Sequence, residues 1–167
     1  ALIASVPALV VGTWGCGGAR QRERQGTGAC GSAISPDAEV PEVLRARAIP
    51  LDADGAINAV ADRLAGARVV GLGEATHGQR EVFAFKRALT MAMIRSHGVR
   101  VVALEASASG VRACDAYVSG EGEDRRAAIA GLGMLIWQVE EVAALLDDLR
   151  AWNTRGEGAE RLRVIGV

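Results

Sequence analysis

The sequence of 167 residues has few cysteines and no motif that would pair them or bind zinc. Cys16, Cys30 and Cys114 show no C-x-x-C spacing, and the two histidines are not placed to complete a zinc site. Neither a disulfide framework nor a zinc ribbon is therefore supported. We expect Cys114 to be a small core residue on a helix.

Basic stretches and aromatic residues are also scarce. The formal net charge is −1 and aromatic residues make up 4% of the chain. A protein that binds nucleic acid needs a basic stripe, usually with interleaved aromatic side chains, and this sequence has neither. We therefore exclude nucleic acid as a partner.

Two common active-site motifs are missing as well. Gly71 and Gly73 follow an apolar stretch, as in the dinucleotide-binding motif G-x-G-x-x-G, but Thr76 stands at the third glycine position. Glu74 would also place a negative charge where a pyrophosphate must lie. No serine lies in a G-x-S-x-G elbow, so serine chemistry lacks support.

The N-terminal run ALIASVPALVVGTW is too short for a membrane span but has the length of the apolar part of an export signal. Cys16 and the glycines after it resemble a bacterial lipoprotein cleavage site. We predict an export signal over residues 1–16, with a lipid on Cys16 or plain secretion as alternatives, and a flexible tether over 17–40. The protein is then periplasmic, extracellular or anchored to the membrane, and residues 41–167 form the folded domain.

Apolar stretches in that domain predict an α/β fold. Strands are expected at 68–73, 99–105 and 161–167, and a helix at 81–97, which Gly98 ends. Near-continuous apolar strands separated by helices are typical of a parallel sheet with helices on both faces. We expect the first two strands to be neighbours. Because the chain stops at the third strand, we expect the sheet to be incomplete at the C-terminus.

Polar side chains follow the first two strands. Glu74 and His77 come after the first strand, and Glu105 closes the second. Neighbouring parallel strands would bring the two carboxylates to about 5 to 10 Å from each other at one edge of the sheet. A carboxylate orients an imidazole and makes it a better general base, which can activate water against an ester carbonyl. We therefore predict that His77, Glu74 and Glu105 are catalytic.

Two further residues are candidates for contacts with substrate. Lys86 lies on the predicted helix, where a solvated lysine is ordinary, but a cation near two carboxylates can stabilise a developing oxyanion. Trp137 is either a core residue or a platform for substrate. The second histidine, His97, ends the helix, where the helix dipole favours it and no catalytic role is expected.

A metal site is an open alternative. Glu74, His77 and Glu105 together could hold a transition metal with free coordination positions. The protein would then be a secreted metal-binding or ligand-binding α/β module without turnover. No cofactor is otherwise predicted.

Three stretches of the sequence stand out together: VGLGEATHGQREVFAFKRALTMAMIRSHGVRVVALEAS, YVSGEG and WQVEEVAALLDDLRAWN. They resemble the erythromycin esterase family, and the similarity covers about residues 60–167. The GEATHG turn and the LEA strand end are its most specific parts.

The resemblance implies an α/β fold and hydrolysis of a small carboxylic ester or macrolactone by histidine-activated water. It implies that His77 is the general base, that Glu74 and Glu105 orient it, and that Lys86 lines the site. Family members contribute further site histidines from a C-terminal part, so we expect residues 1–167 alone to be inactive. The motif does not identify the substrate, and it does not by itself indicate resistance to macrolide antibiotics.

Overall fold

The computed structural model describes residues 8–11, 42–52, 54–73, 77–156 and 160–167. Glu74, Cys16 and the predicted tether over 17–40 lie outside the described residues, as does most of the predicted export signal. The predictions made for them stay predictions.

Helices and strands alternate along the described chain. The strands are β1 (Ala8–Val11), β2 (Val69–Leu72), β3 (Val101–Leu104) and β4 (Arg163–Gly166), and the helices are α1 (Glu42–Arg47), α2 (Ala56–Leu64), α3 (Arg80–His97), α4 (Ala108–Ser119), α5 (Arg125–Gly131) and α6 (Glu140–Arg155), with a 3-10 turn at Leu135–Trp137. The predicted strands 68–73, 99–105 and 161–167 and the predicted helix 81–97 are confirmed. Gly98 ends α3 with φ of 70°, a backbone angle that favours glycine.

The four strands form one parallel sheet in the order β2-β1-β3-β4. β1 pairs with β2 on one side and with β3 on the other. The prediction that β2 and β3 are neighbours is therefore wrong. The folded part is also not confined to 41–167, because Ala8–Val11 lies inside the sheet. A short apolar run suits a buried strand and an export signal equally well, so its composition did not reveal the strand.

The helices cover one face of the sheet. Val70, Val102 and Val164 share that face and are 6%, 0% and 3% exposed. Side chains of α3 and α6 pack against this face and form the main core. On the other face Val69 and Ile165 are 61% and 42% exposed. The predicted second layer of helices therefore does not cover these two side chains in the described structure.

Helix α4 is fastened to the outer strand β4. The carboxylate of Asp115 accepts a hydrogen bond from the Val164 amide at 2.9 Å and from Arg163 Nη2 at 2.6 Å. Gly166 lies so close to the backbone of Ala106 and Ser107 that a side chain would collide with it. The turn after β3 is thereby held against the end of β4.

Across the described ranges, no helix is both long enough and apolar enough to cross a membrane.

Candidate active site

The carboxyl ends of β2 and β3 lie level with each other. Leu72 and Leu104 are both register partners of Val11, the last residue of β1. Since β1 lies between them, two spacings of about 4.8 Å place these strand ends about 10 Å apart. His77 follows one end and Glu105 follows the other, at the edge where parallel sheets of this type bind their ligands.

His77 lies in the turn between β2 and α3 and is exposed to solvent. Gly78 after it has φ of 78°, so the chain reverses here at a position that glycine tolerates best. Helix α3 then begins at Arg80, with Gln79 as its N-cap residue. The turn thus leaves the imidazole accessible to water and to a ligand. Glu74 lies outside the described residues, so its predicted role in orienting His77 stays a prediction.

Glu105 is the first residue beyond β3 and is half-buried. Its backbone carbonyl accepts a hydrogen bond from the indole Nε1 of Trp137 at 3.3 Å. The preceding carbonyl, of Leu104, accepts from the Val167 amide at 3.0 Å, which joins it to the strand ladder. The carboxyl end of β3 is therefore held by β4 at Leu104 and by Trp137 at Glu105.

Lys86 lies on the buried side of α3 and is 2% exposed. Its ammonium nitrogen is 5.3 Å from the centre of the Phe83 ring, one helical turn earlier. A cation above an aromatic face is attracted by the negative charge density of the ring. The interpretation of Lys86 as a solvated surface residue is therefore wrong. A direct contact between Lys86 and substrate would need this buried side chain to become accessible.

Trp137 is a core residue. It is 1% exposed, and its ring meets that of Phe83 edge to face, with 6.0 Å between the ring centres. A substrate platform needs an open ring face, which this tryptophan does not have. The prediction that Trp137 binds substrate is corrected to a core position beneath the strand ends.

Phe83 is the residue of this group that sequence reasoning missed. It contacts both Lys86 and Trp137, and it is 4% exposed. The available signal was its position three residues before Lys86, which puts the two on the same side of a helix. Phe83, Lys86 and Trp137 are thus together with the carbonyl of Glu105, and His77 is exposed to solvent in the turn after β2.

A small cavity lies among these buried residues, between α3, α6 and the sheet. Its volume is about 10 Å³, and Phe83, Lys86, Leu104 and Trp137 are among the residues that line it. This volume corresponds to about one water molecule. An ester substrate does not fit in a cavity of this volume, whereas His77 is exposed to solvent in the turn after β2.

The metal alternative is not tested by the structure. Within the described ranges, no three His, Cys, Asp or Glu side chains gather as a metal site would need. Glu74, one of the three predicted ligands, is outside these ranges.

Comparison with known proteins supports the resemblance seen in the sequence. The family model for erythromycin esterase matches residues 94–167, consistent with a domain of that family. The match includes Glu105 and Trp137. It does not include the turn that carries His77.

Two solved structures are similar in fold. A protein from Bacillus cereus has 27% identity and a TM-score of 0.67, covering 75% of this chain. A structure described as succinoglycan biosynthesis protein has 21% identity and a TM-score of 0.60, covering 70% of this chain. The chain spans 31% and 28% of the lengths of these two proteins.

Proposed function

We propose that the protein is a hydrolase of the erythromycin esterase type that cleaves a carboxylic ester or macrolactone with histidine-activated water. The observation that carries the proposal is the family match over residues 94–167, because it includes the strand end at which Glu105 lies. His77 follows the carboxyl end of β2 and is exposed to solvent. This supports the proposal, since a general base must reach both water and substrate.

In the proposed reaction His77 accepts a proton from water while the water oxygen forms a bond to the ester carbonyl carbon. The carbonyl oxygen becomes an oxyanion in a tetrahedral intermediate. When the intermediate collapses, the bond from carbon to the alcohol oxygen breaks, and the imidazolium returns its proton to that oxygen. The products are a carboxylic acid and an alcohol, which remain in one molecule if the substrate is a lactone.

The acidic residues act on the imidazole in this proposal. Glu74 and Glu105 orient the ring and favour its protonated form in the transition state. Lys86 contributes a fixed positive charge from below the strand ends, which lowers the energy of negative charge that develops nearby.

The fold and location of the hydrolase belong to the same proposal. Its sheet has helices on both faces, and the exposed side chains of Val69 and Ile165 are where the second layer would pack. Export stays a prediction from the sequence, but cleavage of a signal over residues 1–16 would remove Ala8–Val11, which pairs with both β2 and β3 in the sheet.

The test is hydrolysis of p-nitrophenyl acetate and of a panel of lactones by the full-length gene product. Loss of a general base typically costs about 10² to 10⁴ in rate, so His77→Ala should lower turnover at least 100-fold. His97→Ala is the matched control, because His97 is the other histidine of this sequence and is bound to Asp62 at 3.0 Å, away from the strand ends.

Near-normal turnover by His77→Ala would remove His77 from the mechanism. The same assay with a chelator separates the metal alternative, since activity that survives chelation supports metal-free hydrolysis. Absence of turnover, together with stoichiometric metal that is lost in Glu105→Gln, would favour the binding module instead.

A further inference from the structure

Trp137 contacts both the Glu105 carbonyl and the Phe83 ring, above which the Lys86 ammonium lies. We propose that Trp137 is a positioning residue, which fixes the Glu105 backbone directly and the Lys86 ammonium through Phe83. This inference rests on the proposed hydrolase function for its consequence, but the contacts that carry it can be tested without turnover.

The first contact is the hydrogen bond from Trp137 Nε1 to the Glu105 carbonyl, 3.3 Å long. Trp137 itself is held by the 3-10 turn, in which its backbone amide donates to the Met134 carbonyl at 3.2 Å. The carbonyl is part-buried, and loss of this donor leaves its peptide unit less restrained, so the unit tends to reorient. The direction in which the Glu105 side chain leaves the strand would change with it.

The second contact runs through Phe83. The edge of the Trp137 ring meets Phe83 at an interplanar angle of 71°, and the Lys86 ammonium lies above the same phenyl ring. An edge-to-face contact restrains the orientation of both rings. The orientation of Phe83 in turn determines where the cation is attracted. Trp137 therefore restrains Lys86 through Phe83.

The sequence makes Lys86 easy to observe, because it is the single lysine among 167 residues. The carbonyl of Glu105 is nearly as distinctive. Glu–Ala peptide bonds occur twice in the sequence, at 74–75 and at 105–106. Labelling lysine Cε with ¹³C thus gives one NMR signal, and labelling glutamate carbonyls with ¹³C and alanine amides with ¹⁵N gives two.

Trp152 supplies a matched control. It is also buried, at 7% exposed, and its indole nitrogen has no hydrogen-bond partner among the described residues. Trp152 lies on α6, and the guanidinium carbon of Arg100 is 5.5 Å from the centre of its ring. Trp152→Phe removes the same atoms as Trp137→Phe but no hydrogen bond to a strand end.

The experiment compares these variants by NMR in the 167-residue chain. Trp137→Phe keeps a ring beside Phe83 but deletes the donor, so the 105–106 signal should move upfield while the lysine signal stays. Trp137→Leu deletes the ring as well, so both signals should move. Trp152→Phe and Trp152→Leu should move neither. An unmoved 105–106 signal in Trp137→Phe, or equal movement in the Trp152 variants, would overturn the proposal.

Turnover of p-nitrophenyl acetate by the full-length gene product tests the functional consequence. Loss of a hydrogen bond worth about 1 kcal/mol corresponds to about fivefold, so kcat of Trp137→Phe should fall about fivefold with KM little changed. Trp152→Phe should keep the native kcat. If the NMR signals move as expected and kcat does not, Trp137 does not position the catalytic groups. If the native protein hydrolyses no ester, the proposed function fails while the NMR result still decides the contacts.

Discussion

Replacing Asp115 tests how α4 is held on the outer strand. Its carboxylate, 19% exposed, accepts three hydrogen bonds from Arg163, at 3.0, 3.1 and 2.6 Å, and one from the Val164 amide at 2.9 Å. The amides of Arg163 and Val167 donate to the carbonyls of Arg100 and Leu104, so the Val164 amide points to the opposite side of β4, away from β3. Asp115 therefore satisfies a backbone donor that α4 would otherwise bury.

The expected loss of stability can be divided between these contacts. The backbone hydrogen bond contributes about 1 kcal/mol. The pair with Arg163 adds at most about 1 kcal/mol, because the Arg163 side chain is 60% exposed and the pair is screened. Asp115→Ala should then lose about 2 kcal/mol, a large part of the roughly 5 to 15 kcal/mol of an ordinary domain. Asp115→Asn, which keeps an acceptor oxygen, and Arg163→Met should each lose about half as much.

The effect should depend on pH. Burial, the largest single influence, raises the pKa of Asp115, but hydrogen bonds from Arg163 and the Val164 amide and the Arg163 charge outweigh it, so the net pKa lies below 3.8. Because the folded state then binds its proton more weakly than the unfolded state, the stabilisation is complete above pH 3.8 and is lost as the pH falls through the folded pKa. The difference in stability between the native protein and the Asp115→Asn variant should therefore shrink in acid.

Urea unfolding followed by far-UV circular dichroism measures these differences as shifts of the midpoint. Asp62→Asn is the control, because the Asp62 side chain is 71% exposed and its loss should change stability by less than about 0.5 kcal/mol. The reasoning is refuted if Asp115→Ala is as stable as the native protein, or if it loses no more than Arg163→Met.

Two further predictions concern close packing and a buried thiol. Gly166→Ala should lower the free energy of unfolding in urea by about 1 to 3 kcal/mol, because the new methyl group meets the Ala106 carbonyl. Gly71→Ala should be near neutral, because no described atom lies within 4 Å of its added methyl group, and equal losses in the two variants would contradict this. Burial, and secondarily the charge of Asp115, raises the pKa of Cys114 to about 12, so with the other two cysteines replaced by serine the folded protein should react with a thiol reagent at neutral pH only as fast as it unfolds. Reaction at the rate of the urea-unfolded protein would show that this thiol is accessible.

Local patterns in the sequence determined three of the four strands and the longest helix. Continuous apolar runs identified β2, β3 and β4, and the apolar face of α3 with Gly98 behind it identified that helix and its end. These features depend on neighbours within a few residues, so the sequence alone reveals them. The same local patterns predicted the position of the candidate site. His77 and Glu105 each follow a strand, and the carboxyl ends of parallel strands lie at the same edge of a sheet.

Tertiary structure alone decided what surrounds those residues. The strand that separates β2 from β3 is Ala8–Val11, about 60 residues before β2. The composition of a four-residue apolar run does not indicate which strands it pairs with. Trp137 reaches Glu105 across 32 positions, and Asp115 reaches Arg163 across 48. Such contacts form only when the whole core closes, since the packing of helices on the sheet, and not any local pattern, determines which side chains are buried together.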